Sequence, residues 1–520
     1  MSTDTLTFLL PEVILVLVAS LVYVVGAFVQ KPALWTWVAV ATIVAAGAAL
    51  FAMPADLQPG ATVARDGLAH YISLLALGAG LLLVLLSSRS ADPRLAPEYV
   101  GSLMLTVAGT MLVGAAQDLV LIFLGLELIS IPTYVLLYLG RGSSAARESA
   151  AKYFYLSILS SAVMLYGFSF VYGVGGSTSL VEVRAALTAA LAEPTKFLEV
   201  GSLATVLLFA GLGFKIAAVP FHFYAPDVYQ GTNYANGAVL SVLPKIAGLV
   251  ALVRIVAIAM PGEESTGWRL AMVLAALTMT VGNVLALWQE NLRRMLAYSS
   301  IANVGYMLIG LAVGFVTSTR PEVQGFDGIG AMLFYLVAYT VATLGAFATL
   351  TYLGAPDRQV NSLDDIAGVF KTQPLMAACL GVSMFSLTGI PPLAGFWGKF
   401  GLFFGALTIP GEPGDSSIKI WFVVLALIGA LNAAISAGYY LRVIAVAYFR
   451  PAQGTPAAAG GAGSWLVAVT CALLTIGLGF APRPLWEESL AASRQARAAN
   501  SAPADEPRTA LNAAHATQGD

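Results

Sequence analysis

The chain has 520 residues, 58% hydrophobic and only 10% charged, with a formal net charge of −2 and a mean hydropathy of +0.82. A soluble domain carries about 25% charged residues, so this composition excludes a soluble globular domain and places the chain in a lipid bilayer. With no basic patch in the sequence, no nucleic-acid partner is expected.

A membrane-crossing helix takes about 20 apolar residues. Fourteen spans are predicted, at 6–29, 34–53, 70–88, 98–115, 118–139, 151–173, 198–225, 235–260, 268–288, 294–317, 328–354, 373–409, 418–449 and 464–482. No basic segment precedes the first and no small-residue cleavage site follows it, so it reads as a retained span. The seventh is interrupted at "KIAAVPFHFYAPDVYQG", where Pro220 and Pro226 remove backbone donors. The twelfth is interrupted at "SLTGIPPLAGFWGKF", with Gly389, Pro391, Pro392, Gly395 and Gly398, and it exceeds one straight crossing. Broken helices five spans apart suggest an internal repeat, spans 4–8 against 9–13, and an odd number of spans per unit inverts the second copy. The expected fold is therefore an all-α membrane protein with two inverted five-helix repeats. It divides into a three-helix segment (1–97), a first repeat (98–260), a second repeat (268–450), a last span (451–484) and a polar tail (485–520). A short helix is expected around Trp486–Ala499.

Loops after odd-numbered spans carry twelve basic residues: Lys31, Arg89, Arg94, Arg141, Arg147, Lys152, Arg293, Arg294, Arg358, Lys371, Arg442 and Arg450. Loops after even-numbered spans carry six: Arg65, Arg184, Lys196, Arg269, Arg320 and Lys419. The positive-inside rule then puts the odd loops in the cytoplasm and both termini outside.

Four charges stand alone in apolar runs: Glu127 between Leu119 and Leu139, Lys215 between Val200 and Ala225, Lys245 between Ala235 and Val253, and Lys399 between Thr372 and Gly411. Each costs roughly 2.5–3.5 kcal/mol at the bilayer centre, on the order of 10–14 kcal/mol for four, and such charges mark ion or proton routes. Burial disfavours an ammonium, so a buried lysine can load and release a proton near neutral pH. A carboxylate opposes that release: at an effective dielectric of about 20 the pair attracts by about 4 kcal/mol at 4 Å and about 1.7 kcal/mol at 10 Å. Moving Glu127 relative to Lys215 would therefore gate a proton. Pro244 precedes Lys245 and is expected to loosen the helix there. His222, in the first break, can shuttle protons near neutral pH. One carboxylate and three amines suit protons better than sodium or calcium, which want oxygen ligands. The two cysteines, Cys379 and Cys471, read as buried hydrophobes. With the histidines His70, His222 and His515 they form no cluster for haem, zinc or iron–sulfur. No glycine-rich phosphate loop follows a strand pattern. Redox or nucleotide chemistry falls to partners.

The segments "LGLELISIPTYVL", "GFKIAAVPFHFYAPDVYQG", "NLRRMLAYSSIANVGYMLIG", "DDIAGVFKTQPLMA" and "SLTGIPPLAGFWGKFGLF" closely resemble the antiporter-like membrane subunits of respiratory complex I, the bacterial NADH–quinone oxidoreductase. Lysine at position 399 resembles the subunit N branch of this family, where subunit M usually has glutamate. The resemblance implies a proton-translocating subunit in the bacterial cytoplasmic membrane, beside other antiporter-like subunits. NADH, FMN, iron–sulfur clusters and quinone would sit in the parent complex and none in this chain. It also implies that Glu127 and Lys215 form the coupling pair, Lys245 the central relay and Lys399 the exit-side relay. Alternative readings are a subunit of a multi-component sodium/proton antiporter and a structural subunit bridging pump modules. Two stretches depart from the pattern: "TNYANG" follows "DVYQG" where "APAPVT" is common, and Asn303 stands where a histidine is common and carries no proton.

Overall fold

The computed structural model describes residues 7–29, 31–53, 62–89, 93–139, 144–190, 197–260, 264–318, 326–355, 359–410, 417–452 and 456–498. The polar tail beyond 498, and Arg141, Lys196, Arg320 and Arg358 of the loop count, lie outside the described residues. The first half contains α1 (Leu10–Gly26), α2 (Pro32–Phe51), α3 (Gly67–Ser87), α4 (Ala96–Ala115), α5 (Leu119–Leu139), α6 (Ser144–Gly175), α7 (Leu180–Ala190), α8 (Phe197–Ile216), α9 (Ala225–Gly231) and α10 (Tyr234–Leu252). The second contains α11 (Glu264–Leu287), α12 (Leu292–Ser318), α13 (Gly328–Leu353), α14 (Pro374–Thr388), α15 (Ala394–Leu407), α16 (Ser417–Phe449), α17 (Gly461–Phe480) and α18 (Arg483–Ala498).

Among the described residues, eleven helices are long and apolar enough to cross a membrane, and Leu10–Gly26, Val200–Ile216 and Pro374–Thr388 are shorter apolar helices. Helices suit this setting because hydrocarbon offers no partner to a free N–H or C=O. The sequence supplies their starts. Asp66 accepts from Ala69 N at the head of α3, Asn233 from Asn236 N at α10, and Asp327 from Ile329 and Gly330 N at α13. Pro32 and Pro374 open α2 and α14, where no N–H is needed.

Burial sorts the helices into two shells. The most apolar stretch of α10 is 100% buried and those of α12 and α13 are 94% buried, against 33% for α2 and α16. Leu17, Leu21, Trp37, Leu427 and Leu431 point outward on the outer helices, as lipid-facing side chains do. The inner helices are apolar nearly all round, which is what a fully enclosed helix requires.

Two helix ends matter for the site. Helix α8 stops at Ile216, Ala217 has a φ of 58°, and α9 begins at Ala225. Helix α14 stops at Thr388, and Gly389 caps it with a φ of 92°; α15 begins at Ala394. Here the end of α14 and the start of α15 meet backbone to backbone: a Cβ on Gly395 would lie 1.8 Å from the Ser386 carbonyl oxygen, so only glycine fits.

Some elements differ from expectation. The eleven-residue α7 is too short to cross a bilayer and was not among the predicted spans. Helix α10 includes Pro244 and continues as a π-helix over Val253–Ala259. The helix expected around Trp486–Ala499 is present as α18. Two ion pairs fasten the N-terminal helices. Arg65 pairs with Glu12 within that segment at 2.5 Å, and Asp66 ties it to Arg254 after α10 at 2.6 Å. Both pairs are buried, so Arg65 is not a free loop charge.

Candidate functional site

Glu127 and Ser130 lie one turn apart on α5, and Ser157 and Ser161 one turn apart on α6, so each pair shares a helix face. Lys215 occupies the last turn of α8. The packing of these three helices places the Lys215 ammonium 3.5 Å from Glu127 Oε1. Its shorter bonds go to hydroxyls: it donates to Ser130 Oγ at 2.6 Å and Ser157 Oγ at 3.1 Å. Ser161 donates to Glu127 Oε1 at 2.5 Å. The serines therefore hold each charge separately, and the ion pair is long for a hydrogen bond. The lysine side chain is 3% exposed and the glutamate 20%, so the acid alone reaches the rim of the bundle.

Lys245, on the enclosed α10, donates to Ser300 Oγ of α12 at 2.5 Å. Ser300 shares a hydrogen bond of 2.6 Å with the Tyr339 hydroxyl of α13. Tyr339 donates to the Ser241 carbonyl, and Ser241 Oγ donates to the Tyr229 hydroxyl at 3.0 Å. Hydroxyls from four helices thus meet this ammonium and its partners.

Helix α12 carries the polar line onward. Ser299, Ser300, Asn303 and Tyr306 fall at helical spacing, on one face. Asn303 accepts from the Tyr335 hydroxyl at 2.6 Å and donates to the Ser299 carbonyl and the Tyr440 hydroxyl at 2.9 and 3.1 Å. Ser299 and Tyr440 share a hydrogen bond. Tyr306 accepts from Asn283, and Asn283 in turn bonds Asn432 and Tyr439. From Ser300 to Tyr306 the helix rises about 9 Å. The Lys399 ammonium lies 4.5 Å from the centre of the Tyr306 ring.

Lys399 sits on α15 but donates back to the Leu387 and Thr388 carbonyls of α14, at 2.7 and 3.1 Å. The last carbonyls of a helix lack intrahelical partners and carry its negative end, so they suit an ammonium. Lys215 likewise lies at a helix C-terminal end, with a carboxylate added. His222 lies in the link between α8 and α9. Its Nδ1 has no partner among the described residues, and the structure gives it no bond to any of the lysines. Pro220 lies in the same link, Pro226 in the first turn of α9, and Pro391 and Pro392 between α14 and α15. The serines and tyrosines were missed from sequence, although the α12 stripe was visible as spacing. Among the described residues no group of three or more His, Cys, Asp or Glu could hold a metal ion. Cys379 and Cys471 are buried and free.

The family described as NADH:quinone oxidoreductase/Mrp antiporter, transmembrane, matches residues 116–435, which hold all four lone charges. The chain is similar to NADH-quinone oxidoreductase subunit N of Trichlorobacter lovleyi, 38% identical over 87% of this chain and 89% of that protein. The chain belongs to the NADH:quinone oxidoreductase/Mrp antiporter family. A chain of respiratory complex I from Thermus thermophilus, solved with bound aureothin, superimposes with a TM-score of 0.74 at 31% identity, covering 92% of this chain and 98% of that one. A chain of the Mrp complex from Dietzia sp. shares the fold, with a TM-score of 0.79 at 21% identity over 99% of both chains.

The two departures from the family pattern have local explanations. In "TNYANG", Asn236 accepts from Tyr99 and donates to the Leu136 carbonyl and Thr232 Oγ1. Tyr234 donates to the Val360 carbonyl, and Arg293 to that of Thr232. Hydrogen bonds to four other segments hold the start of α10. Asn303 is equally saturated, which fixes its amide between Tyr335 and Tyr440.

Proposed function

We propose that this chain is the proton-translocating membrane subunit of a bacterial NADH:quinone oxidoreductase, working beside other antiporter-like membrane subunits. NADH oxidation on FMN, iron–sulfur electron transfer and quinone reduction belong to partner subunits, and this chain moves protons. Glu127 and Lys215 are the switch, Lys245 the central relay and Lys399 the exit-side relay. The observation that carries this reading is the 3.5 Å Glu127–Lys215 pair, buried on the lysine side and reaching the rim on the glutamate side.

At 3.5 Å and an effective dielectric of about 20, the carboxylate stabilises the ammonium by about 4.7 kcal/mol, and at 10 Å by about 1.7 kcal/mol. Drawing Glu127 away thus removes about 3 kcal/mol, a factor above 100 in the proton equilibrium. Ser130 and Ser157 keep Lys215 in place meanwhile. The released proton has Lys245 and its hydroxyl cluster ahead, then the polar face of α12, then Lys399. Water completes the links between them, because Asn303 carries no proton itself. His222 stands apart from this line and can shuttle protons near neutral pH.

In this reading the chain comprises two inverted repeats, 98–260 and 268–450, within a fourteen-span plan. Residues 1–97 and 451–484 are flanking segments and 485–520 a tail. The interruptions between α8 and α9 and between α14 and α15 are its paired broken helices, each with a lysine at a carbonyl end. The loop charges favour both termini on the periplasmic side of the inner membrane. The test is Lys245→Ala in the native complex, with NADH-driven proton pumping measured beside quinone reduction, with and without sodium. Pumping should fall with reduction retained, independent of sodium. Sodium-dependent pumping, or intact stoichiometry, would refute the role.

A further inference from the structure

The polar axis leaves one large feature unused. A groove of about 970 Å³ lies between α3, α13, α17 and α18, at the upper end of the size range of ligand sites. Leu74, Leu82, Val341 and Leu474 line its shaft. Arg65, Asp66, His70, Glu488 and Gln495 gather at one end, where α3 begins and α18 packs. Along α3 the lining runs from Gly67 to Leu82, a rise of about 22 Å. One leaflet with its headgroups is about 20–22 Å thick, half of the 40–45 Å bilayer. The groove therefore has the length of one lipid molecule, polar at the end and apolar below.

The charges at the mouth select the headgroup. Arg65 is committed to Glu12 and Asp66 to Arg254, so neither charge is free for a ligand. Glu488 is exposed on α18 and forms no ion pair among the described residues. His70 and Gln495 add N–H donors. A carboxylate beside N–H donors fits an ammonium and a phosphate on one molecule. It does not fit a headgroup whose only charge is negative.

We infer that this groove is a binding site for one zwitterionic amine phospholipid, phosphatidylethanolamine, with its ammonium at Glu488, its phosphate at His70 and Gln495, and an acyl chain along α3 and α13. A Cβ on Gly78, in the groove wall, would meet open space, so Gly78→Trp fills the shaft without disturbing the helix. Gly173 on α6 is equally open, and Gly173→Trp is the control.

The experiment is mass spectrometry of lipids retained by the intact membrane assembly after exhaustive detergent exchange, with assembly checked on native gels. Wild type and Gly173→Trp should retain phosphatidylethanolamine that Gly78→Trp loses roughly tenfold, equivalent to about 1.4 kcal/mol. Glu488→Lys, a surface change that leaves the shaft intact, should shift the retained lipid toward phosphatidylglycerol. Equal retention in Gly78→Trp and wild type would overturn the proposal. So would an anionic lipid in the wild type, or a cross-link from Gly78→Cys to a neighbouring polypeptide covering the groove.

Discussion

At Lys215 the ammonium has three partners, and the two nearer ones are serine hydroxyls. A hydrogen bond to a charged group contributes about 1.5–3 kcal/mol. Ser130→Ala should therefore lower the midpoint of thermal inactivation of the assembly, whereas Ser169→Ala, at an exposed site bonded only to its own helix, should not. An equal midpoint in the two variants would remove the serine from the site. Asp227 shows a different balance at the surface. Partial burial raises its carboxyl, but Arg294 and Lys152 outweigh this and hold it below the ordinary aspartate value. Both cations are within hydrogen-bond reach, at 2.6 and 3.1 Å. A carboxyl held low in the fold stabilises it above the unfolded value of about 3.9, and this is lost as pH falls through the folded value. Stability measured against pH should drop below about pH 4 in the wild type and lose that component in Asp227→Asn.

The elements that carry the site are those with special ends. Lys399 works from α15 on the carbonyls of α14, and this requires the two helices to touch through Ser386 and Gly395. Gly395→Ala puts a methyl group into the Ser386 carbonyl, at 1.8 Å, and must part the helices. The expected result is loss of assembly or of pumping, read on native gels and by proton uptake. Gly477→Ala, where a Cβ meets open space, should leave both unchanged. Helix α12 has the opposite design: it is unbroken, and its face at Ser299, Ser300, Asn303 and Tyr306 links the surroundings of Lys245 to those of Lys399.

For the molecule as a whole, the costly features were legible in the sequence. A lone charge in an apolar run, or Pro and Gly clustered inside a span, stands out because hydrocarbon penalises both. Single hydroxyls do not stand out, since most bond their own helix, as Thr110 and Thr133 do. Nothing local separates Thr133 from Ser130; only the arrival of Lys215, 85 residues later, does. The Arg254–Asp66 pair, 188 residues apart, was hidden for the same reason. The helix ends, the inner helices and the ion pair nevertheless support the proposed switch at Glu127–Lys215 feeding a polar line to Lys399. The most direct measurement is the number of protons pumped per NADH oxidised in the native complex carrying Glu127→Gln or Lys215→Ala. Pumping should fall in both variants, with quinone reduction retained in at least one; full pumping in both would contradict the switch.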